Sequence, residues 1–181
     1  MKLPNNGLIS LYEMKLKVYE NALLKEPNSI FYKGIVKNTK EFLQKLYMQH
    51  RTSNDVIKSL NENEIFVFGS NLSGKHGKGA AKIAMGWGAI YGQGAGLQGK
   101  TYGIPTKSHS VYKVLTITEI KPYVDSFIEF AKENPDKIFL VTAIGTGLAG
   151  YKAKQIAPLF QDAVSLNNVH FPKEFWHKLK I

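Results

Sequence analysis

The sequence predicts an α/β protein whose mixed, mainly parallel sheet lies between two layers of helices, with a helical N-terminal extension. Residues 65–68 (IFVF) and the start of residues 137–151 form apolar runs that are typical of strands buried on both faces. Segments with helical spacing alternate with these runs, as in strand–helix–strand units. A glycine-rich loop follows each run, and α/β proteins bind ligands beyond the carboxyl ends of their strands.

The chain is expected to divide into a helical N-terminal extension, residues 1–60, and an α/β domain, residues 61–181. Apolar residues at helical spacing predict a helix in 8–26 and a second helix in 38–50. The short stretch between these helices fits either a pair of strands or a turn. Residues 53–61 fit one more short helix, with a serine or asparagine at its start.

The α/β domain is predicted to begin with the strand at 65–68, a glycine loop and a helix of small residues. In chain order there follow a short strand in 99–107 that Pro105 ends, a helix in 118–136, a strand at the start of 137–151, a helix in 152–164, a strand in 168–172 and a helical turn in 173–180. Trp87 and Tyr91 are expected in the core, on the helix after the first glycine loop. The glycine-rich residues 92–99 fit a mobile loop beside a ligand or, nearly as well, a structural turn.

Composition excludes several classes of chemistry. With 181 residues, of which 44% are hydrophobic and none is cysteine, the chain has enough apolar residues for a core but no disulfides, thiolate metal sites or cysteine nucleophiles. Its five histidines show no metal-binding spacing, so neither a metal nor a cofactor is expected. The first residues do not resemble a signal peptide, and no uncharged run reaches membrane-spanning length. A cytoplasmic protein without a membrane partner is therefore predicted.

The charge of the chain favours anionic partners such as nucleotides or nucleic acid. The formal net charge is +10, and no Asp or Glu lies between Glu64 and Glu119. That interval contains Lys75, Lys78, Lys82, Lys100, Lys107 and Lys113. The glycine-rich region is therefore locally cationic, which fits an anion-binding site and a solvated lysine surface about equally well.

The first glycine loop differs at one position from the phosphate-binding loop of nucleoside triphosphatases. From Gly69 it reads G-S-N-L-S-G-K-H, and His76 replaces the serine or threonine that holds magnesium. Neutral imidazole is a poor magnesium ligand, and the second buried strand ends without the carboxylate that such enzymes use. Residues 92–99 do not match a dinucleotide-binding motif either, because they follow a helical segment. These observations argue against both motifs.

The second glycine loop resembles that of macro domains, which read A-I-(G/S)-T-G-x-x-G-(Y/F) between a strand and a helix. The match is ungapped over about 139–157 and includes Gly145, Thr146, Gly147, Gly150 and Tyr151. The first loop is similar to the family's asparagine and glycine run through Asn71, Gly74, Gly77, Gly79, Ala80 and Ala81. With F-G-S-N-L and I-G-T-G-L-A-G-Y, the chain resembles a group of uncharacterised bacterial and phage proteins within that superfamily. The resemblance covers roughly residues 62–176.

Macro domains bind ADP-ribose in a cleft, with its diphosphate between the two loops. The resemblance implies ligand contacts from Gly69, Ser70, Asn71, Gly74, Lys75, Gly77, Lys78, Gly79, Ile144, Gly145, Thr146, Gly147, Leu148, Ala149, Gly150 and Tyr151. It places Asn71 near the distal ribose and Tyr151 beside that sugar. Macro domains also have an Asp just past an earlier strand that binds the adenine amino group. The upstream Asp of this chain, Asp55, falls in a predicted helix, so adenine recognition is not carried over.

Asn71 and His76 are the candidate catalytic residues. Asn71 is expected to orient a water molecule that the phosphate of the substrate activates, although its side chain also fits a loop cap. His76 fits a general base, whereas a solvent-exposed loop histidine is the commoner case. No Ser-His-Asp arrangement or nucleophile elbow accompanies Ser70.

Three functions follow from these features. The first is binding of ADP-ribose or a related nucleotide diphosphate, either as a hydrolase of an ADP-ribose derivative or as a non-catalytic reader. The second is non-specific nucleic-acid binding through lysine, since the chain has one arginine among 24 basic residues and bidentate guanine recognition is nearly excluded. The third is an interaction scaffold in which residues 1–60 bind a partner. The sequence leaves the oligomeric state open.

Overall fold

A computed structural model describes residues 5–181, which fall into two compact units. The first unit contains the described residues up to His50 together with Ile181, and the second is Arg51–Lys180. This division precedes the predicted boundary at 60/61 because Thr52 and Ser53 pair with a strand of the second unit. The expectation that the first residues are not a signal peptide falls partly on residues 1–4, which lie outside the described residues.

The first unit contains α1 (Asn5–Lys25) and α2 (Ile30–His50). The helices predicted in 8–26 and 38–50 are confirmed, but the expected strand pair or turn before the second helix is wrong. The side chain of Ser29 accepts a hydrogen bond from the Tyr32 amide at 3.3 Å and caps a helix that begins earlier than predicted. The rings of Tyr12 and Phe42, with centroids 4.4 Å apart, join the two helices.

The second unit is an α/β domain with a six-stranded sheet in the described residues. Its strands are β1 (Thr52–Ser53), β2 (Glu64–Asn71), β3 (Gly96–Gln98), β4 (Thr101–Lys107), β5 (Ile138–Val141) and β6 (Val169–Pro172). Its helices are α3 (Gly79–Met85), α4 (Ile117–Glu133), α5 (Ala153–Ile156), a 3-10 helix (Ala157–Ala163) and α6 (Lys173–Trp176).

The strand order is β1-β6-β5-β2-β4-β3, and only the β3–β4 pair is antiparallel. The predicted α/β class with a mixed, mostly parallel sheet is confirmed. Parallel pairing places the carboxyl ends of β2, β4 and β5 at one edge of the sheet. The segments that leave these three strands therefore begin at the same edge.

The buried residues of β2 alternate between two sets of contacts. Phe66 and Phe68 pack in one cluster with Ala81 and Ala84 of α3. Tyr102, which pairs with Val67 in register, contacts Phe127 of α4, with ring centroids 5.3 Å apart. Because successive residues of a strand point to opposite faces, α3 and α4 bury different faces of the sheet. The mostly apolar run at 65–68 has this physical origin.

Two predicted elements differ in the structure. The helix expected in 53–61 is wrong, since β1 pairs with β6 and Ser53 Oγ donates a hydrogen bond to the Val141 carbonyl at 2.6 Å. The strand expected to end at Pro105 continues through it as β4. β3 pairs with β4 only as far as Gly103, so Pro105 pairs with β2 alone and its missing N–H costs no hydrogen bond to β3.

The helix after the first glycine loop is shorter than predicted. It ends at Met85, and Gly88 takes a φ of 101°, which turns the chain away from the helix. Trp87 is half-buried against Phe66, with ring centroids 4.9 Å apart. Tyr91 is 66% exposed, so its expected place in the core is wrong.

Candidate functional site

Two glycine loops and one turn leave the sheet at the shared edge. The first loop, residues 72–78, connects β2 to α3, and the second loop, residues 142–152, connects β5 to α5. The turn, residues 107–114, follows β4. The Thr142 amide donates a hydrogen bond to the Val67 carbonyl at 3.0 Å, which attaches the start of the second loop to β2.

Gly69, near the end of β2, is the point at which this strand approaches the second loop. A Cβ atom added to Gly69 would lie 3.5 Å from Cγ2 of Ile144 and 3.6 Å from the amide nitrogen of Gly145. The end of β2 is therefore in contact with the beginning of the second loop. The structure brings these predicted site residues together.

The second loop is held in shape by its own hydrogen bonds. The Gly150 amide donates to the Gly147 carbonyl at 2.9 Å, and the Tyr151 amide donates to the Gly145 carbonyl at 3.0 Å. Thr146 Oγ1 donates to the Ala143 carbonyl at 2.8 Å. Gly145 and Gly150 take φ values of 78° and 76°, a conformation that other residues rarely adopt.

A series of backbone N–H groups in the second loop is free. The amides of Gly145, Gly147, Leu148 and Ala149 donate no hydrogen bond to any described residue. Gly147 and Gly150 are exposed, and a Cβ atom added to either would meet nothing within 4 Å. Successive free N–H groups on an open concave backbone form an anion-binding nest. Ile144 is buried at 2% exposure and its amide donates to the Thr142 carbonyl at 2.7 Å, so neither its side chain nor its amide is open to a ligand.

The side chain of Asn71 closes the first loop. Its Oδ1 accepts hydrogen bonds from the Lys75 amide at 3.0 Å and from Ser73 Oγ at 2.8 Å. Its Nδ2 donates to the Lys75 carbonyl at 2.8 Å. The asparagine is buried and caps the loop. Of the two predicted roles, orienting a water molecule and capping the loop, these hydrogen bonds correspond to the cap.

His76 is buried, so the expectation of an exposed loop histidine is wrong. It is 4% exposed, and its ring packs edge-on against Phe68 with centroids 5.3 Å apart. Its Nε2 lies 3.1 Å from the Gln93 carbonyl, which only accepts hydrogen bonds, so Nε2 carries the proton. Its Nδ1 is buried without a hydrogen-bond partner in the described chain. The segment at Gln93 covers the ring because it packs directly on the first loop.

Residues 92–94 are fixed to the first loop, which supports the interpretation of 92–99 as a structural turn. The Gly92 amide donates to the Gly74 carbonyl at 3.1 Å, and Ser70 Oγ donates to the Gly94 carbonyl. A Cβ atom at Gly74 would overlap the backbone of residues 92 and 93, and one at Gly94 would overlap the Asn71 carbonyl. Gly74 and Ser70 therefore serve this contact, and the side chain of Ser70 does not face a ligand.

The remaining part of the first loop faces solvent. Lys75, Gly77, Lys78 and Gly79 are exposed, and a Cβ atom added to Gly77 or Gly79 would meet nothing within 4 Å. The amides of His76, Gly77 and Lys78 donate no hydrogen bond within the described part of the chain. These amides and the two lysines give the loop an unopposed positive potential.

The turn after β4 contacts the first loop and Leu115, the next residue, contacts the second loop; the sequence did not predict either contact. The Leu72 amide donates to the Lys107 carbonyl at 2.9 Å, and the Tyr151 hydroxyl donates to the Leu115 carbonyl. The turn carries no recognisable motif. Its signals in the sequence are two lysines and Tyr112, whose ring close after a strand fits either stacking on a base or, more commonly, packing. Tyr112 is 92% exposed, so it is not a packing residue.

Asp55 follows a strand instead of lying in a helix. It comes two positions after the end of β1, in a segment without helical structure, and it is exposed. The helical context that argued against a role in the site is therefore wrong.

A cavity of about 430 Å³ lies between residues 52–61 and the sheet, with Glu64, Leu140 and His170 among its lining residues. Burial lowers the pKa of His170, the charge of Arg51 lowers it further, and Glu64 acts in the opposite direction. Residues of the two glycine loops do not line this cavity.

Among the described residues, no cluster of His, Cys, Asp or Glu has the arrangement of a metal site. No helix in residues 5–181 has both the length and the apolarity needed to cross a bilayer. Comparison with protein-family models, curated proteins and solved structures gives no match.

Proposed function

We propose that this protein is macro-domain-like, with α/β/α layers, and binds ADP-ribose or a related nucleotide diphosphate in the cleft between the two glycine loops. The observation that carries the proposal is the run of free N–H groups at Gly147, Leu148 and Ala149. These groups lie on a loop that contacts the end of β2 at Gly69. An arrangement of this kind holds a diphosphate without a metal ion.

The position of Asp55 supports recognition of the base. Macro domains have an aspartate just past an earlier strand that accepts a hydrogen bond from the adenine amino group. Asp55 lies just past β1, at the carboxyl end of a strand that is parallel to its neighbour. We assign the same role to Asp55 in the proposed complex.

The side chains favour binding over hydrolysis. Asn71 uses both polar atoms of its side chain within the first loop, and His76 is buried under residues 92–94. Neither faces the cleft as a catalytic group, and the interval from 65 to 118 contains no carboxylate. We therefore propose a protein that binds the nucleotide without hydrolysing it. Hydrolysis is implied by the family resemblance alone.

Isothermal titration with ADP-ribose in the absence of magnesium tests this proposal. We expect binding in the micromolar range that is lost in Gly147→Glu, because the new carboxylate lies beside the bound phosphates. Gly147→Ala is the matched control, since its Cβ has open space and the φ of Gly147 is not positive. A folded wild-type protein that releases no heat, or a Glu variant that binds as well as the Ala variant, would overturn the proposal.

A further inference from the structure

The turn of residues 107–114 lies beside the glycine loops at the shared edge of the sheet. One end is bonded to the first loop through the Leu72 amide and the Lys107 carbonyl, at 2.9 Å. Leu115, the residue after the turn, accepts a hydrogen bond from the Tyr151 hydroxyl of the second loop. The turn is therefore within reach of a ligand that extends out of the cleft between the loops.

The turn is ordered, yet it exposes an aromatic ring. The Ser108 amide donates to the Lys113 carbonyl and the Lys113 amide to the Ser110 carbonyl, both at 2.9 Å. Lys107 and Val114 form an antiparallel bridge at its base. Tyr112 nevertheless remains 92% exposed. A single exposed tyrosine is ordinary, but this one lies at the ligand edge on a fixed backbone.

The lysines of the turn, the first loop and α3 are not neutralised by ion pairs within the described residues. In the described part of the chain, Lys75, Lys78, Lys82, Lys107 and Lys113 form no ion pair. The pKa of Glu119 is lowered mainly by a hydrogen bond from the Thr116 amide and then by the Thr116 hydroxyl, with a smaller contribution from the charge of Lys113. One acidic group thus offsets part of the charge of one lysine, and the other cations remain available for phosphates.

We infer that the natural ligand is the nucleotide-diphosphate end of a single-stranded nucleic acid, whose next nucleotides cross the turn. A base of the strand stacks on Tyr112, and Lys107 and Lys113 contact the phosphates. Single-strand binding surfaces combine a cationic track with aromatic platforms in this way. The only arginine, Arg51, is buried and donates to the Leu166 and Val164 carbonyls, so base edges are not read by arginine. The inference rests on the proposed function.

The test compares three probes by fluorescence anisotropy competition and titration. They are ADP-ribose, an RNA octamer with a 5′ monophosphate, and the same octamer with adenosine joined to its 5′ end through a diphosphate. The third probe contains an adenosine diphosphate linked to a ribose, followed by a strand. We expect it to bind about tenfold more tightly than either other probe, because it occupies the cleft and stacks on the turn.

Variants of the turn separate the two parts of the site. Tyr112→Ala lowers affinity for the diphosphate-linked octamer about tenfold, whereas Tyr112→Phe keeps the stacking ring and the affinity. The pair Lys107→Gln and Lys113→Gln lowers the salt dependence of that binding by about 1.4 in log–log slope, about 0.7 for each phosphate that no longer meets a lysine. The exposed Lys173→Gln and Lys178→Gln pair is the control. ADP-ribose affinity stays within about twofold in all turn variants, since none of these side chains touches the diphosphate cleft.

The outcomes distinguish the two proposals. If ADP-ribose binds and the diphosphate-linked octamer binds no better, the inference is wrong and the proposed function stands. If ADP-ribose does not bind and the diphosphate-linked octamer binds no better than the monophosphate octamer, the cleft does not hold a diphosphate and both proposals are wrong. Equal losses in Tyr112→Ala and Tyr112→Phe would also contradict stacking.

Discussion

Asn71 and His76 carry polar groups that point into the protein at the start of the first loop. The Asn71 side chain bonds to the backbone of Lys75, and the His76 ring bonds to the backbone carbonyl of Gln93. For His76 the partner is Gln93, 17 residues later. Local sequence does not specify such a contact, so the residue types could be recognised from the sequence and their orientation could not.

Removal of the Asn71 side chain is predicted to destabilise the protein. Asn71→Ala leaves the Lys75 amide and carbonyl without their partner at a half-buried position, which costs about 2 kcal/mol of unfolding free energy. Urea denaturation measures the change. Asn71→Asp keeps the acceptor oxygen and should lose less. An unchanged denaturation midpoint in Asn71→Ala would show that the side chain does not hold the loop.

Asp55 gives a prediction about the base. Asp55→Asn should weaken ADP-ribose binding about tenfold, because a carboxylate accepts a stronger hydrogen bond from an amino group than an amide does. Binding of ribose 5-phosphate should not change. Asp162→Asn, at another exposed aspartate, is the control in the same titration. Equal affinity of the Asp55 variant and the wild type for ADP-ribose would remove Asp55 from the site.

At the scale of elements, periodicity predicted the structure wherever packing follows the local pattern. α4 is an example, with Ile120, Val124, Phe127, Ile128 and Ala131 buried on one face and a capping box at Thr116. The prediction of a helix in 53–61 was wrong because the pairing of β1 with β6, which is distant in the chain, outweighs a weak helical pattern. The position of the turn of residues 107–114 beside the two loops could not be predicted, because its residues carry no motif that indicates their neighbours.

The contact between the first loop and residues 92–94 predicts a clear difference between two glycines. Gly94→Ala places a methyl group against the Asn71 carbonyl and should lower the unfolding free energy by about 2–3 kcal/mol. Gly77→Ala has open space and should change it by less than about 0.5 kcal/mol. Thermal melting compares the two variants. Equal melting temperatures would mean that the two segments are not in close contact.

For the protein as a whole, the lowered pKa of His170 makes the unfolding free energy depend on pH. The pKa of His170 is lowered below its ordinary value of 6.5 mainly by burial, so the folded state favours neutral imidazole. Stability from this group is complete above pH 6.5 and is lost as the pH falls from there through the folded-state pKa. Arg51 disfavours and Glu64 favours the charged form.

The wild-type melting temperature should therefore fall between about pH 7.5 and pH 5, and His170→Gln should show a smaller fall. The melting temperature of His177→Gln, a variant at an exposed histidine, should fall as much as that of the wild type. This range excludes Glu119, whose lowered pKa takes effect only below its ordinary value of 4.5. Parallel curves for the two variants and the wild type would show that His170 makes no contribution.

The hydrogen bonds that shape both glycine loops are made by the protein's own atoms. A receptor with its donors in place loses little chain entropy when it binds. Association should then follow a single kinetic phase without a slow step, and ligands of one chemical series should differ mainly in how fast they leave. In the proposed complex, the residence time, more than the rate of capture, would then decide which nucleotide is retained.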